Sequence, residues 1–243
     1  MKKKLLFLTL AVLCLSMFAS ADNFLFYGSR AAQNPVDFID WSQLGPSILI
    51  TGTTIPTPQL VFSFLGNPAL VGNINGGDFV RVDEGLGWVG NFDSGENLVW
   101  TDNPNFGIGG GGPFVIQLLI PASSVGFGIQ ADAFGSFATY VELFDTSFNP
   151  IGFFAIGGGN SFFSEAGDNL FIGIGDATGA NIGAIEIGTS SLADTSGIFA
   201  NDFAIDDPSF TYAPLVVPEP SSLLLLGSGL LGVAGLVRRK LGR

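Results

Sequence analysis

Apolar positions along the middle of the chain come in short runs, many alternating with polar or glycine positions, and clusters of Gly, Asn, Asp, Ser and Pro separate them. A period of two with that punctuation predicts β-strands, and no stretch of the middle carries a convincing helical period. The clearest runs are 114–120, 125–131, 139–144, 151–156, 170–174, 182–187 and 203–210. Between 144 and 151, Asp145-Thr-Ser-Phe-Asn-Pro150 supplies side chains that fold back on their own backbone and a preset φ, which predicts a hairpin. Gly157-Gly158-Gly159-Asn160 is expected to close the next hairpin. In the first half, 24–27, 47–51, 59–64 and 79–82 are expected as strands, and 53–58 and 85–90 as loops or edges. The fold expected is all-β: an antiparallel β-sandwich, jelly-roll-like, filling 22–213.

Two segments break this pattern, one at each end. Residues 1–21 read as a secretory signal peptide, with Lys2, Lys3 and Lys4 ahead of an apolar run and Ala19-Ser20-Ala21 as small residues at a cleavage site. Near the other end, residues 223–237 carry no charge over 15 positions, and Arg238, Arg239 and Lys240 follow at once. That order predicts one C-terminal transmembrane helix whose basic end, 238–243, stays cytoplasmic. At 1.5 Å per residue the run reaches about 22 Å of a hydrocarbon core near 30 Å, which makes it a marginal span. A linker, 214–222, precedes it.

That linker contains Val217-Pro218-Glu219-Pro220. Together with the short Gly-rich apolar run and the Arg-rich end, it resembles the PEP-CTERM sorting signal of Gram-negative bacteria. The resemblance implies an exosortase-type processing enzyme as partner, cleavage near the Pro-Glu-Pro, transient contact with the inner membrane, and release to the cell surface or into exopolysaccharide. It covers about a tenth of the chain.

Setting the two ends aside changes the charge balance. Of 9 basic residues 7 lie in the tails, so residues 22–217 keep Arg30 and Arg81 against 20 of the 21 acids, and 2 minus 20 gives −18. Such a surface repels phosphates, which excludes nucleic acid as a partner. The same 196 residues hold no Cys and no His, so disulfides, thiolate or imidazole metal sites and Ser/His or Cys/His catalysis are excluded too. Burial alone has to hold the domain together.

The strands Val125-Gly-Phe-Gly-Ile129, Tyr140-Val-Glu-Leu-Phe-Asp145, Ile185-Glu-Ile187 and Phe203-Ala-Ile-Asp-Asp-Pro-Ser-Phe210 look like the ectodomains often joined to this tail, which are similar to galactose-binding-like sandwiches. In such domains, aspartates of the last strand satisfy backbone donors or hold a cation. Calcium is therefore the one cofactor to consider: it wants several oxygen ligands, and Asp202, Asp206 and Asp207 cluster near the last strand. Acidic loops at Asp83/Glu84, Asp93/Glu96 and Asp168/Asn169 offer weaker versions. Solvation or turn capping is the plainer reading of any single cluster.

Trp88, in the glycine-rich 85–90, is the tryptophan best placed to stack on a sugar, with core or edge packing as the plain alternative for it and for Trp41 and Trp100. Gly107-Ile-Gly-Gly-Gly-Gly112 has the spacing of a dinucleotide-binding turn, but Pro113 and a β run follow where a helix is needed. Carboxylate catalysis would have to draw on Glu84, Glu96, Glu142, Glu165 and Glu186, and the alternation around Glu142 and Glu186 points to outward, solvated positions. The function expected is that of an exported, non-enzymatic protein interacting with exopolysaccharide or another surface glycan. The alternatives are a structural or adhesion matrix protein without a small ligand and a carboxylate-dependent glycoside hydrolase.

Overall fold

The computed structural model describes residues 24–51, 54–56, 58–73, 78–101, 113–164, 167–191 and 202–212. The chain divides into two units, Met1–Tyr212 and Ala213–Arg243, and the described residues all belong to the first. The expected signal peptide, the 107–112 glycine run, the Pro-Glu-Pro motif and the C-terminal helix lie outside the described residues. Among those described, no helix is long and apolar enough to cross a membrane.

The first unit is an all-β structure of two sheets. One sheet runs, edge to edge, β1 (Phe24–Tyr27), β12 (Leu170–Asp176), β9 (Ser124–Ala131), β14 (Phe203–Ile205), β7 (Asn97–Trp100), β5 (Val80–Glu84) and β6 (Gly87–Trp88), while β15 (Ser209–Thr211) also pairs with β9 and β2 (Asp37–Phe38) pairs with β15. The other runs β11 (Pro150–Ser161), β10 (Gly135–Phe144), β13 (Ile182–Ser191), β8 (Phe114–Ala122), β4 (Pro68–Asn73) and β3 (Gln59–Phe62). Pairing is antiparallel, as expected, apart from the short parallel contact of β5 with β6.

β9 shows why the sequence packs as it does. Its residues alternate between large apolar side chains (Val125, Phe127, Ile129) and small or polar ones (Gly126, Gly128, Gln130), and the whole strand is buried. The large set enters the main core, where it shares one cluster with Phe114 and Ile116 of β8, Val141 and Leu143 of β10, and Ile185 and Ile187 of β13. The glycines face outward because other groups press onto the backbone there. A Cβ on Gly128 would sit 1.9 Å from the Asn169 side chain and 2.5 Å from Asp206 Oδ2. A smaller core of Val80, Val82, Trp88, Phe92, Leu98 and Ala204 lies on the outer side of the β14-β7-β5 region.

Several expectations need correction. Residues 47–51 form no strand: Ile48–Thr51 is a single helical turn, α2, while Ser47 is buried and donates to the Leu86 carbonyl. Another one-turn helix, α1 (Arg30–Gln33), is capped by Ser29, whose side chain accepts from Ala32 N. Residues 157–160 do not close a hairpin but continue β11, with Gly158 at φ 101° absorbing a register shift against β10. The hairpin at 145–150 forms as expected, its Asp145 carboxylate accepting from Ser147 N at 2.7 Å and from Asn149 N at 2.9 Å. β2, β4 and β7 carry too little alternation to stand out; β4 even opens on Pro68, tolerated at the first position of a strand.

Because Phe127 is fully buried at the centre of the core, Phe127→Ala should cost about 3–5 kcal/mol in chemical denaturation. A loss below about 1 kcal/mol would show that β9 is not the centre of the packing.

Candidate functional site

The last strand was expected to be continuous over 203–210, and it is broken instead. β14 and β15 both pair with β9, but the chain uses three residues, Asp206, Asp207 and Pro208, to pass the two residues Phe127 and Gly128. This is a β-bulge, and it turns the two aspartates out of the ladder. Asp206 is buried; its carboxylate accepts from Gly128 N at 2.5 Å and pairs with Arg30 at 2.8 Å. Burial pushes the Asp206 carboxyl above its ordinary value, while Arg30, Gly128 N–H and Asn169 pull against that. Arg30 also donates to the Asp207 carbonyl at 2.9 Å, and Trp41 Nε1 donates to the Asp206 carbonyl at 2.8 Å.

Asp202, Asp206 and Asp207 therefore do not meet around a common point. Asp207 faces the Trp41 amide and Asp40, and burial together with repulsion from Asp206 and Asp40 pushes it up to about 7. Glu96 is likewise pushed up to about 7 by burial and by the negative charges of Asp206, Asp207 and Asp93. Among the described residues no group of three acids could hold a metal ion. The bulge is a joint that ties α1, β9 and the β14–β15 segment together.

Trp88 is not a sugar platform. It is 4% exposed, lies edge-on to Trp100 at 5.6 Å, and its Nε1 donates to Gln130 Oε1 at 3.4 Å. The glycines around it let the β6 edge fold back over the smaller core, so high glycine content marked close packing where exposure was expected. Trp41 is fully buried against Phe114.

The remaining acids sort by whether the protein gives them a partner. Asp83 pairs with Arg81 at 2.7 Å, so both arginines of the described residues stand in ion pairs. Glu84 accepts from Gly90 N, Asp168 from Asn91 Nδ2 and Ser164 Oγ, and Asp176 from Thr178 and Asn181. Glu142 and Glu186 differ. They stand directly opposite each other on β10 and β13, both half-buried on the outer face of the second sheet, and neither has a hydrogen bond or ion pair among the described residues. Burial and the facing Glu142 charge push the Glu186 carboxyl above its ordinary value. Like charges directly opposed across a ladder are destabilising, so the sequence carries a local cost here with no internal compensation.

The neighbours of this pair are aromatic. Across the sheet the register runs Phe153, Glu142, Glu186, Val115, and the next outward row runs Ala155, Tyr140, Gly188. The rings of Tyr140 and Phe153 lie 6.1 Å apart with a 30° tilt, and Phe153 is 53% exposed. Gly188 puts no side chain across from Tyr140. The result is an open face with two rings beside two carboxylates. The outward direction of Glu142 and Glu186 was legible from alternation, but their pairing depends on strand register, which a single sequence does not display.

The comparisons with known proteins bear on destination more than on this face. Residues 216–240 match the PEP-CTERM protein-sorting motif, which supports an exported, surface-directed protein processed by an exosortase. No curated protein matches the sequence. Among solved structures, a DUF4465 family protein from Bacteroides caccae is similar at 9% identity over 80% of this chain and 96% of its own, with a TM-score of 0.37, a likeness too distant to carry any argument.

A carboxyl whose folded value is raised contributes stability that is present below its unfolded value and lost as pH rises through the folded one. At about pH 8, Glu142→Gln should therefore stabilise the protein by about 0.5 kcal/mol, and at about pH 3, where Glu186 is protonated, the gain should vanish. Chemical denaturation at the two pH values checks this; a destabilised variant at the higher pH would mean that Glu142 has an attractive partner.

Proposed function

We propose that this protein is a non-enzymatic exopolysaccharide-binding module, a galactose-binding-like sandwich in role, exported and sorted by its C-terminal motif to work at the cell surface or in the matrix. The observation that carries the reading is the Tyr140–Phe153 ring pair beside the unpartnered Glu142 and Glu186. A sugar ring presents a flat C–H face and a rim of hydroxyl donors. The exposed Phe153 ring, with the half-buried Tyr140 beside it, suits the first, and carboxylate oxygens, as acceptors, suit the second. An acidic domain of −18 has little use for an anionic ligand, so neutral or amino-bearing sugars fit better than uronic acid polymers. Calcium held between Glu142 and Glu186 would relieve their repulsion, with ligand hydroxyls and water completing its coordination.

The test is retention of the exported protein on exopolysaccharide purified from the producing cells, with calcium and with chelator. Binding is expected, with Phe153→Ala weakening it about tenfold, in line with about 1.4 kcal/mol for one stacked ring. Absence of retention in both conditions would return the protein to a structural matrix role without a glycan ligand.

A further inference from the structure

The outer face of the second sheet has two halves. On β10 and β13 it carries Glu142 and Glu186; on β3, β4 and β8 it carries apolar side chains. Leu60 and Phe62 of β3 are exposed while Val61 between them is buried. Phe62 stands opposite Pro68 of β4, and Pro68 precedes Ala69, which pairs with Leu118 and so brings Leu119 alongside. Past the end of β3, Phe64 stacks on Phe38 of β2 at 5.2 Å and 10°. Phe64 is 72% exposed, Leu119 58% and Leu60 53%. Adjoining aromatic and aliphatic side chains exposed to this extent mark a surface that meets something apolar.

Charge narrows what that can be. Residues 41–77 and 103–131, which supply all three strands, contain no Asp, Glu, Lys or Arg, in a domain whose net charge is −18. Asp40 and Asp145 stand outside those stretches, and each caps its own turn. The face therefore gives a cationic partner nothing to pair with, and the overall charge opposes a second copy.

The described chain ends at the same place. Tyr212, its last residue, donates its hydroxyl to Asp37 Oδ2 at 2.9 Å, while Asp37 Oδ1 accepts from Phe38 N and Leu65 N. From there ten residues, 213–222, lead to the uncharged run 223–237. Ten residues span at most about 36 Å, so a bilayer that takes up the run is held within that distance of Tyr212, where even a weak contact is favoured by tethering.

We propose that the face formed by Phe38, Leu60, Phe62, Phe64 and Leu119 docks on the interfacial region of a zwitterionic lipid bilayer while the C-terminal run is inserted. This rests on that run entering a membrane, and it is independent of glycan binding. Apolar side chains enter the boundary between headgroups and acyl chains with a gain that scales with the area buried, whereas the acidic domain is repelled by anionic lipid. The contact adds apolar area to a run of 15 residues that reaches only part of the hydrocarbon core.

Spin labelling of the full chain in phosphatidylcholine vesicles, with Cys14→Ser in every variant, tests this. Labels at Phe64→Cys and Leu119→Cys should be several-fold more accessible to oxygen, relative to a water-soluble nickel complex, than a label at Ser94→Cys, an exposed turn position of the other sheet. Adding Phe62→Glu should return both labels to water, and Leu86→Glu, exposed near the β5–β6 edge, should leave them in lipid. Mixing phosphatidylglycerol into the vesicles should weaken the immersion at low salt. A further label at Ser228→Cys reports the run itself. A run in lipid with both face labels in water overturns the docking alone; a run in water removes the tether and overturns the docking with it. Face labels shielded from both reagents would mean that the chain's own residues cover the face, which overturns it as well.

Discussion

Twenty carboxylates share two arginines between residues 22 and 217, and the fold has to seat the buried ones on donors that carry no charge. Asp37 shows how. Its carboxylate accepts from Phe38 N, Leu65 N, Ser63 Oγ, Asn67 Nδ2 and the Tyr212 hydroxyl, so one buried acid gathers β2, the β3–β4 turn and the end of the last strand. Asp145 and Asp176 organise turns in the same way, on backbone and amide donors. Asp206 receives one of the two arginines, and that ion pair sits where three elements meet. The Arg30 side chain is 36% exposed while Asp206 is buried, so it is loss of Arg30 that would leave a buried carboxylate without its countercharge, at a cost greater than the pair itself contributes.

This arrangement gives the exceptions their meaning. Among the described residues, where most inward acids have donors, two facing glutamates without donors stand apart. They lie on a sheet face, next to two rings, away from the joint formed by Asp206. The acids that looked most like a site in the sequence are structural, and two that looked merely solvated form the strongest candidate.

The reasons for that inversion are physical. Alternation and turn residues made the second half of the sandwich legible, where the runs from 114 to 187 fall within β8 to β13; in the first half, 24–27 matches β1. The first half resisted because β2, β4 and β7 are short, lack alternation, and owe their existence to partners far away in the chain. Tertiary context also overrode local preference at 47–51, where β-branched residues form a helical turn beside the β5–β6 edge. Strand direction can be read from a period of two, but register cannot, and register is what sets Glu142 opposite Glu186 and breaks 203–210 at Asp206. Glycine content was ambiguous in the same way: around Trp88 it allowed close packing, while at Gly128 it made room for Asn169 and Asp206.

The central claim is that Glu142 and Glu186 are a strained, unpartnered pair held ready for a ligand. Site-resolved NMR titration of the two side-chain carboxyls, with and without the exopolysaccharide, tests it most directly. The account predicts that Glu186 titrates above the ordinary glutamate range in the free protein and that both carboxyl resonances move when the polysaccharide is added. Ordinary titration of Glu186, with both resonances indifferent to the polysaccharide, would contradict it.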